Sequence, residues 1–206
     1  MEKPVKGYLE GRNIAGAAST LRSGGVAVLP TDTIYGFHCV YSNGDSIDRI
    51  RRLKGRAKST GFILLASSLG MVDSLVEKWP EGTRDILASL WPAPLTAILP
   101  ASRGIPDILR PGGGVAVRIP AMPALLKLID KVGEPLVSTS VNRSGHSPLN
   151  RIGDIIEAFP GLDAYISRRG SGCLNPSTLI DLTGREARLI RPGTIAGRAA
   201  SAFGTD

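Results

Sequence analysis

Pro135-Leu-Val-Ser-Thr-Ser-Val-Asn-Arg-Ser-Gly145 is the stretch on which the reading of this chain turns. Leu136 and Val137 begin a strand whose apolar pattern stops abruptly in Ser138-Thr-Ser-Val-Asn142, a run of hydroxyl and amide side chains. A strand fixes where its side chains point, so donors and acceptors gathered at its end are presented to something. The same composition, Asn followed by Ser-Gly, is also ordinary turn chemistry, and this segment alone does not separate the two.

Working outward, Pro123 to Lys131 reads as a helix ended by Gly133, and Ile152 to Phe159 as a second helix beyond the polar run. The alternation continues toward both termini. Residues 12 to 23 read as an amphipathic helix stopped by Gly24-Gly25, and Val26 to Leu29 as a buried strand running into a turn over Pro30-Thr-Asp-Thr-Ile-Tyr-Gly36. Ser46 is the expected N-cap of a helix through Lys54, with Ile47, Ile50 and Leu53 on one face. Strands are expected over Gly61 to Ala66, Leu95 to Leu99, Val115 to Ile119, Tyr165 to Ser167, Ser177 to Leu182 and Arg188 to Arg191. Helices are expected near 69 to 78 and 83 to 90. This mixture predicts one α/β domain over residues 1–206, a twisted open mixed sheet covered by helices.

Composition narrows the function classes. With 206 residues and 42% hydrophobic content, the chain buries a sizeable core without staples. Cys39 and Cys173 form no disulfide framework and no CxxC pair, which fits a reduced, cytoplasmic setting. The N-terminal Met-Glu-Lys-Pro-Val-Lys-Gly lacks a signal-peptide core, and no apolar run approaches the roughly 20 residues of a membrane helix. Lys and Arg number 25 against 18 acidic residues, a formal charge of +7 that favours anionic partners such as nucleotides, phosphates or RNA.

The densest charge is Arg49, Arg51, Arg52, Lys54, Arg56 and Lys58, with only Asp48 beside it. A solvated helix face is one reading. The other rests on placement: Lys54-Gly-Arg56 falls where the helix ends and a strand is about to begin, a fixed edge from which cations meet phosphate oxygens. Conventional nucleotide signatures are missing. Ala57-Lys-Ser-Thr60 lacks the glycines of a P-loop, and Gly112-Gly-Gly114 precedes a strand where a dinucleotide fingerprint precedes a helix. The triple glycine reads as a flexible turn whose amides can approach a ligand. His38 and His146 are the only histidines; neither lies in a zinc spacing or beside a Gly-x-Ser-x-Gly elbow, so both read as structural or surface residues. Arg118 ends an apolar strand and must meet a carboxylate, internal or from a ligand.

Taken in order, Pro30-Thr-Asp-Thr-Ile-Tyr-Gly36, Lys54-Gly-Arg56, Trp91-Pro-Ala-Pro-Leu-Thr96, Val117-Arg-Ile-Pro120, Ser138-Thr-Ser-Val-Asn142, Asn175-Pro-Ser-Thr178 and Arg191-Pro-Gly193 resemble the YrdC/TsaC family of threonylcarbamoyl-AMP synthases. The resemblance implies a YrdC-like fold around a large basic cavity. It implies the synthesis of L-threonylcarbamoyl-adenylate and pyrophosphate from L-threonine, bicarbonate or CO2, and ATP, a nucleotidyltransferase step toward t6A37 in tRNAs reading ANN codons. Carried over by position, it assigns Thr31, Arg118, Ser138 and Ser177 to threonine. It assigns Lys54, Lys58, Ser140, Asn142, Ser147 and Arg191 to ATP, with Lys54 and Arg56 as the catalytic cations. No protein-built metal site is expected; Mg2+ rides on the ATP phosphates. TsaD, TsaB and TsaE are the implied partners of the later step.

Several positions depart from the family pattern. Leu65 stands where longer members carry a histidine, Ala57 replaces a Pro, Ala93 a Gly and Val141 an Ala. Gly172-Cys-Leu-Asn-Pro-Ser-Thr178 and the short tail after Gly193 agree with the shorter bacterial TsaC subgroup. Two other functions stand beside this one. An RNA-binding module of the same fold would use the positive charge on tRNA phosphates, although aromatics are only 5% of the chain and none interleaves with the Arg49 to Lys58 run. The carbamoyl-transfer branch of hydrogenase maturation shares this domain in much longer proteins. Ser138 and Ser140 lie on one face of an ideal strand, so their service to different ligands requires the backbone to turn there.

Overall fold

The computed structural model describes residues 8–9, 14–55, 62–167 and 175–205. Its strands are β1 (Tyr8–Leu9), β2 (Ala27–Leu29), β3 (Gly36–Val40), β4 (Ile63–Leu65), β5 (Leu95–Pro100), β6 (Gly114–Arg118), β7 (Leu136–Ser140), β8 (Ala164–Ile166), β9 (Thr178–Asp181) and β10 (Arg188–Arg191). They form one sheet in the order β1-β8-β2-β3-β7-β4-β6-β5-β9-β10. Parallel pairs such as β4 with β6 and β5 with β9 alternate with antiparallel ones such as β3 with β7, which makes the sheet mixed, as the alternating pattern predicts.

Among the described residues seven α-helices pack against it: α1 (Ile14–Arg22), α2 (Gly44–Lys54), α3 (Leu69–Asp73), α4 (Thr83–Leu90), α5 (Pro123–Val132), α6 (Ile152–Ala158) and α7 (Ala196–Phe203). One apolar cluster joins Ala17, Ala18 and Leu21 of α1 and Leu125, Leu128 and Ile129 of α5 to Leu29, Val40, Leu65 and Leu136 of the sheet. On the opposite face, Phe37, Leu64, Ala97, Val117 and Val137 meet Ile47 and Ile50 of α2, Leu87 of α4, Ile155 of α6 and Ala199 of α7. The split follows the period of two: facing residues across β3 and β7 share a side, and each next residue points to the other. Each fully buried Leu or Ile contributes roughly 1.5–3 kcal/mol of transfer free energy. No helix among the described residues is long and apolar enough to cross a membrane.

Three expectations are corrected. The N-cap of α2 is Asn43, whose Oδ1 accepts the Ser46 amide at 3.0 Å. Ser46 lies inside the helix, and its hydroxyl donates to the Gly24 carbonyl at 2.6 Å, tying α2 to the end of α1. The helix expected over 69 to 78 stops at Asp73, because Val76 leaves the helical path to form an isolated bridge with Ala101. The turn after Pro30 is followed at once by β3, a strand that the period of hydrophobicity does not reveal: all its residues are buried on one face or the other, so no alternation shows. β1 and the Ala- and Gly-rich α7 were also not anticipated, while β7, β10 and α4 begin and end where expected.

Candidate functional site

The helices do not cover the whole of the α1 side. Where α1 and α5 stop, the same sheet face forms the floor of a cavity of about 380 Å³. Its floor takes one residue in two from successive strands: Gly36 of β3, Ser138 and Ser140 of β7, Ile63 of β4, Ala116 and Arg118 of β6, Ile98 of β5 and Leu179 of β9. Thr31, Thr33, Ile34, Tyr35, Phe62, Leu109, Pro111, Gly114, Thr139, Pro148, Pro176, Ser177 and Arg191 complete the lining. Arg118 and Arg191 are the charged lining side chains among the described residues, so the cavity is basic.

Arg118 is 2% exposed. One terminal nitrogen donates to Thr33 Oγ1 at 3.1 Å, and the other stands 3.4 Å from Asp32 Oδ1. The Asp32 contact is ionic without being a formed hydrogen bond: Asp32 Oδ1 and Arg118 Nε both lack a hydrogen-bond partner among the described residues. Asp32 is fixed instead through Oδ2, which accepts the Ala121 amide at 2.9 Å. Burial pulls Arg118 down from its ordinary value, Asp32 opposes this, and the positive charge of Arg191 adds to it. A guanidinium stays charged regardless, so the site holds a cation with unspent donors. That settles the question raised by the sequence: the internal carboxylate exists, and it leaves capacity for a second one.

Arg191 reaches Ser177 from β10, donating through Nε and a terminal nitrogen to the Ser177 carbonyl at 3.2 and 3.1 Å. Ser177 Oγ lies 2.8 Å from Thr96 Oγ1. The approach depends on Gly193, since a Cβ there would stand 2.4 Å from the Thr178 amide nitrogen. Thr31 lines the cavity with its hydroxyl already engaged: it donates to the Ile34 carbonyl at 2.8 Å, and it accepts the Thr33 amide at 3.0 Å.

The cation run divides. Arg49 pairs with Asp163 and Arg51 with Asp48 on the surface, Arg52 is exposed, and Lys54 turns inward and is fully buried. Its Nζ donates to the Ser140 carbonyl at 2.5 Å and to Asn142 Oδ1 at 2.7 Å. Ser140 Oγ also donates to Asn142 Oδ1, at 2.6 Å, and the Asn142 amide donates to the His146 carbonyl at 2.6 Å. Lys54 and Asn142 therefore stand behind the cavity wall and tie the end of β7 to the end of α2.

Of the residues singled out from sequence, Thr31, Arg118, Ser138, Ser140, Ser177 and Arg191 come together around one cavity. Ser147 is exposed beside Pro148 of the rim. Arg56 and Lys58 lie outside the described residues, as does Cys173. Gly114 of the triple glycine reaches the cavity wall. Ser138 and Ser140 both line it, on the single face that the period of two requires, and the backbone turns only afterward, where the Asn142 amide bonds to the Ser140 carbonyl. Asp32 and Thr33 escaped the sequence reading although they sit in a motif already noticed; the demand of Arg118 for a carboxylate was the available signal. His38 is fully buried against Ser138, consistent with the structural role expected of it.

The chain is similar to known proteins over most of its length. The Sua5/YciO/YrdC family model, described as telomere recombination, matches residues 19–193. A threonylcarbamoyl-AMP synthase of Methylococcus capsulatus is 34% identical over 187 residues, covering 88% of this chain and all of that one. The P. abyssi Sua5 structure in complex with L-threonine superposes with a TM-score of 0.88 at 30% identity, covering 98% of this chain, which spans 61% of that longer one. E. coli YciO shares the fold with a TM-score of 0.81 at 24% identity, over 94% of this chain and 97% of its own. The chain belongs to the Sua5/YciO/YrdC family.

Proposed function

We propose that the protein is an L-threonylcarbamoyladenylate synthase, a nucleotidyltransferase that joins L-threonine, bicarbonate or CO2, and ATP into threonylcarbamoyl-AMP and pyrophosphate. The observation that carries this reading is Arg118: a buried guanidinium facing a hydroxyl-lined cavity, with donors left over after Asp32 and Thr33. A carboxylate satisfies it, and an amino acid supplies one. The names of the relatives and the threonine bound to Sua5 support the same substrate.

In this reading Arg118 takes the threonine carboxylate and Ser138 and Ser177 flank it, while Thr31 holds the wall in shape. Arg191 and Ser140 face the ATP phosphates, Ser147 closes the rim, and Lys54 acts through the turn at Ser140 and Asn142. Arg56 and Lys58 are assigned to the phosphates on the motif alone. The threonine nitrogen bonds to CO2 and loses a proton. A carbamate oxygen then attacks the α-phosphorus of ATP, and pyrophosphate departs with the electron pair of the broken P–O bond. Negative charge gathers on the phosphoryl oxygens, so the chain contributes position and positive potential rather than a nucleophile. Phe62 and Leu109 in the walls and Ile98 and Leu179 on the floor limit water, in which carbamates and mixed anhydrides decompose. Mg2+ would be held by the ATP phosphates and would offset part of their charge. The product serves t6A37 formation with TsaD, TsaB and TsaE in the cytoplasm.

Incubation with ATP, bicarbonate and radiolabelled L-threonine tests this. Labelled adenylate and pyrophosphate are expected, each dependent on all three substrates. Salt-sensitive tRNA binding without threonine-dependent ATP consumption would favour the RNA module instead.

A further inference from the structure

Beneath the cavity floor lies a histidine for which the proposed reaction has no use. His38 of β3 lies directly opposite Ser138 of β7, fully buried, with Nε2 at 3.1 Å from Ser138 Oγ. A serine beside a histidine invites a nucleophilic reading, and the surroundings exclude it. Nδ1, where an orienting carboxylate would have to sit, has no hydrogen-bond partner among the described residues. Burial, with a smaller contribution from the charge of Arg118, pushes the imidazole down to about 3, too weak a base to activate a hydroxyl.

What the pair does depends on which atom holds the proton. A neutral imidazole carries one N–H, and an orphaned buried N–H is rarer than an under-satisfied acceptor. Placing the hydrogen on Nδ1 would leave that donor without an acceptor. The Cε1–Nε2 edge of the ring is the part that faces Gly36 and Ser138, where a Cβ on Gly36 would come within 2.7 Å of Cε1 and 3.0 Å of Nε2. The hydrogen therefore belongs on Nε2, between the ring and Ser138. Ser138 Oγ then accepts from His38, and its own proton has no acceptor among the described residues while the side chain lines the cavity.

We propose that His38 is a positioning residue that donates Nε2–H to Ser138, leaving the Ser138 hydroxyl proton free to be donated to the ligand carboxylate that Arg118 also holds. The identity of that carboxylate as the one of L-threonine rests on the function proposed above. The device discriminates: a ligand oxygen that accepts satisfies the Ser138 proton at this corner, and a group that can only donate leaves that proton without an acceptor.

Two measurements on the full chain decide it. In wild-type protein with 15N-labelled histidine, long-range proton–nitrogen correlation should show His38 with a protonated Nε2 and a bare Nδ1; the reverse tautomer or a mixture overturns the proposal. Calorimetry then compares L-threonine with L-threoninol, which lacks the carboxylate. His38→Leu and Ser138→Ala should each weaken L-threonine about tenfold, the double variant no further, and His38→Gln, which keeps an N–H, should recover most of the loss. The preference for threonine over threoninol should shrink by the same factor. A His38→Leu protein that keeps the wild-type preference sinks the proposal. Wild-type protein that binds no L-threonine removes the functional reading instead, and the imidazole signals still decide the direction of the bond.

Discussion

Two halves of one sheet face have the same strands and the same alternation, and they differ in what lies above them. In the covered half, Ala27, Leu29, Val40, Leu65 and Leu136 are roofed by α1 and α5. Two residues along β7 and β4 the positions become Ser138 and Ile63, and four residues from Val40 on β3 the position is Gly36, with Arg118 at the border of the open half. The exchange of Leu136 for Ser138 along a single strand shows the rule: a side chain under a helix gains by being apolar, while one under a cavity keeps its hydrogen-bonding capacity for a ligand. The site is a stretch of would-be core from which the roof has been withheld.

The strongest way to break the comparison is Arg118→Ala at the border. It leaves Asp32 buried without its cation, so we expect a loss of about 3–5 kcal/mol in urea unfolding and about a hundredfold or more in L-threonine affinity. Leu136→Ala, in the covered half, should cost about 2–5 kcal/mol of stability and leave threonine affinity unchanged. Equal losses of affinity in the two halves would contradict the division.

The next test uses pH. The folded value of about 3 for His38 lies below the ordinary 6.5, so the unfolded chain takes up the proton first as pH falls. Stability present above pH 6.5 is therefore lost toward pH 3, and between pH 7 and 5 the wild type should lose about 2 kcal/mol more than His38→Gln. Parallel slopes for the two proteins would show that His38 is not held neutral. Smallest is Ser138→Ala, expected to cost about 1 kcal/mol of stability through the buried His38 Nε2–H that it leaves without an acceptor. Its visible effect should be on ligand binding.

The same contrast explains what was legible in the sequence. Helices such as α4 and α5 announce themselves through one apolar face and a stop signal, and β7 through its abrupt change of character. β3 does not, because Gly36-Phe-His-Cys-Val40 is buried throughout and begins in a glycine whose role is to let His38 and Ser138 approach. The Asn43 cap was hidden by a second capable residue three positions on, and only the hydrogen bonds decide between them. Most polar cavity residues stood out as motif members, whereas the Asp32–Arg118 pair and the His38–Ser138 pair join residues far apart in the chain. No local pattern encodes such a meeting; the strand order does.

That strand order also sets a timetable. β9 and β10, which carry the approach to Ser177 and Arg191, are the last strands in the chain, yet β9 pairs with β5 from its middle. A polypeptide emerging N-terminus first can lay down β2 through β8 with Arg118 and Ser138 in place and still lack one wall. The pocket gains its second guanidinium only when β9 and β10 dock, so ligand binding reports that docking and stabilises only chains that have reached it.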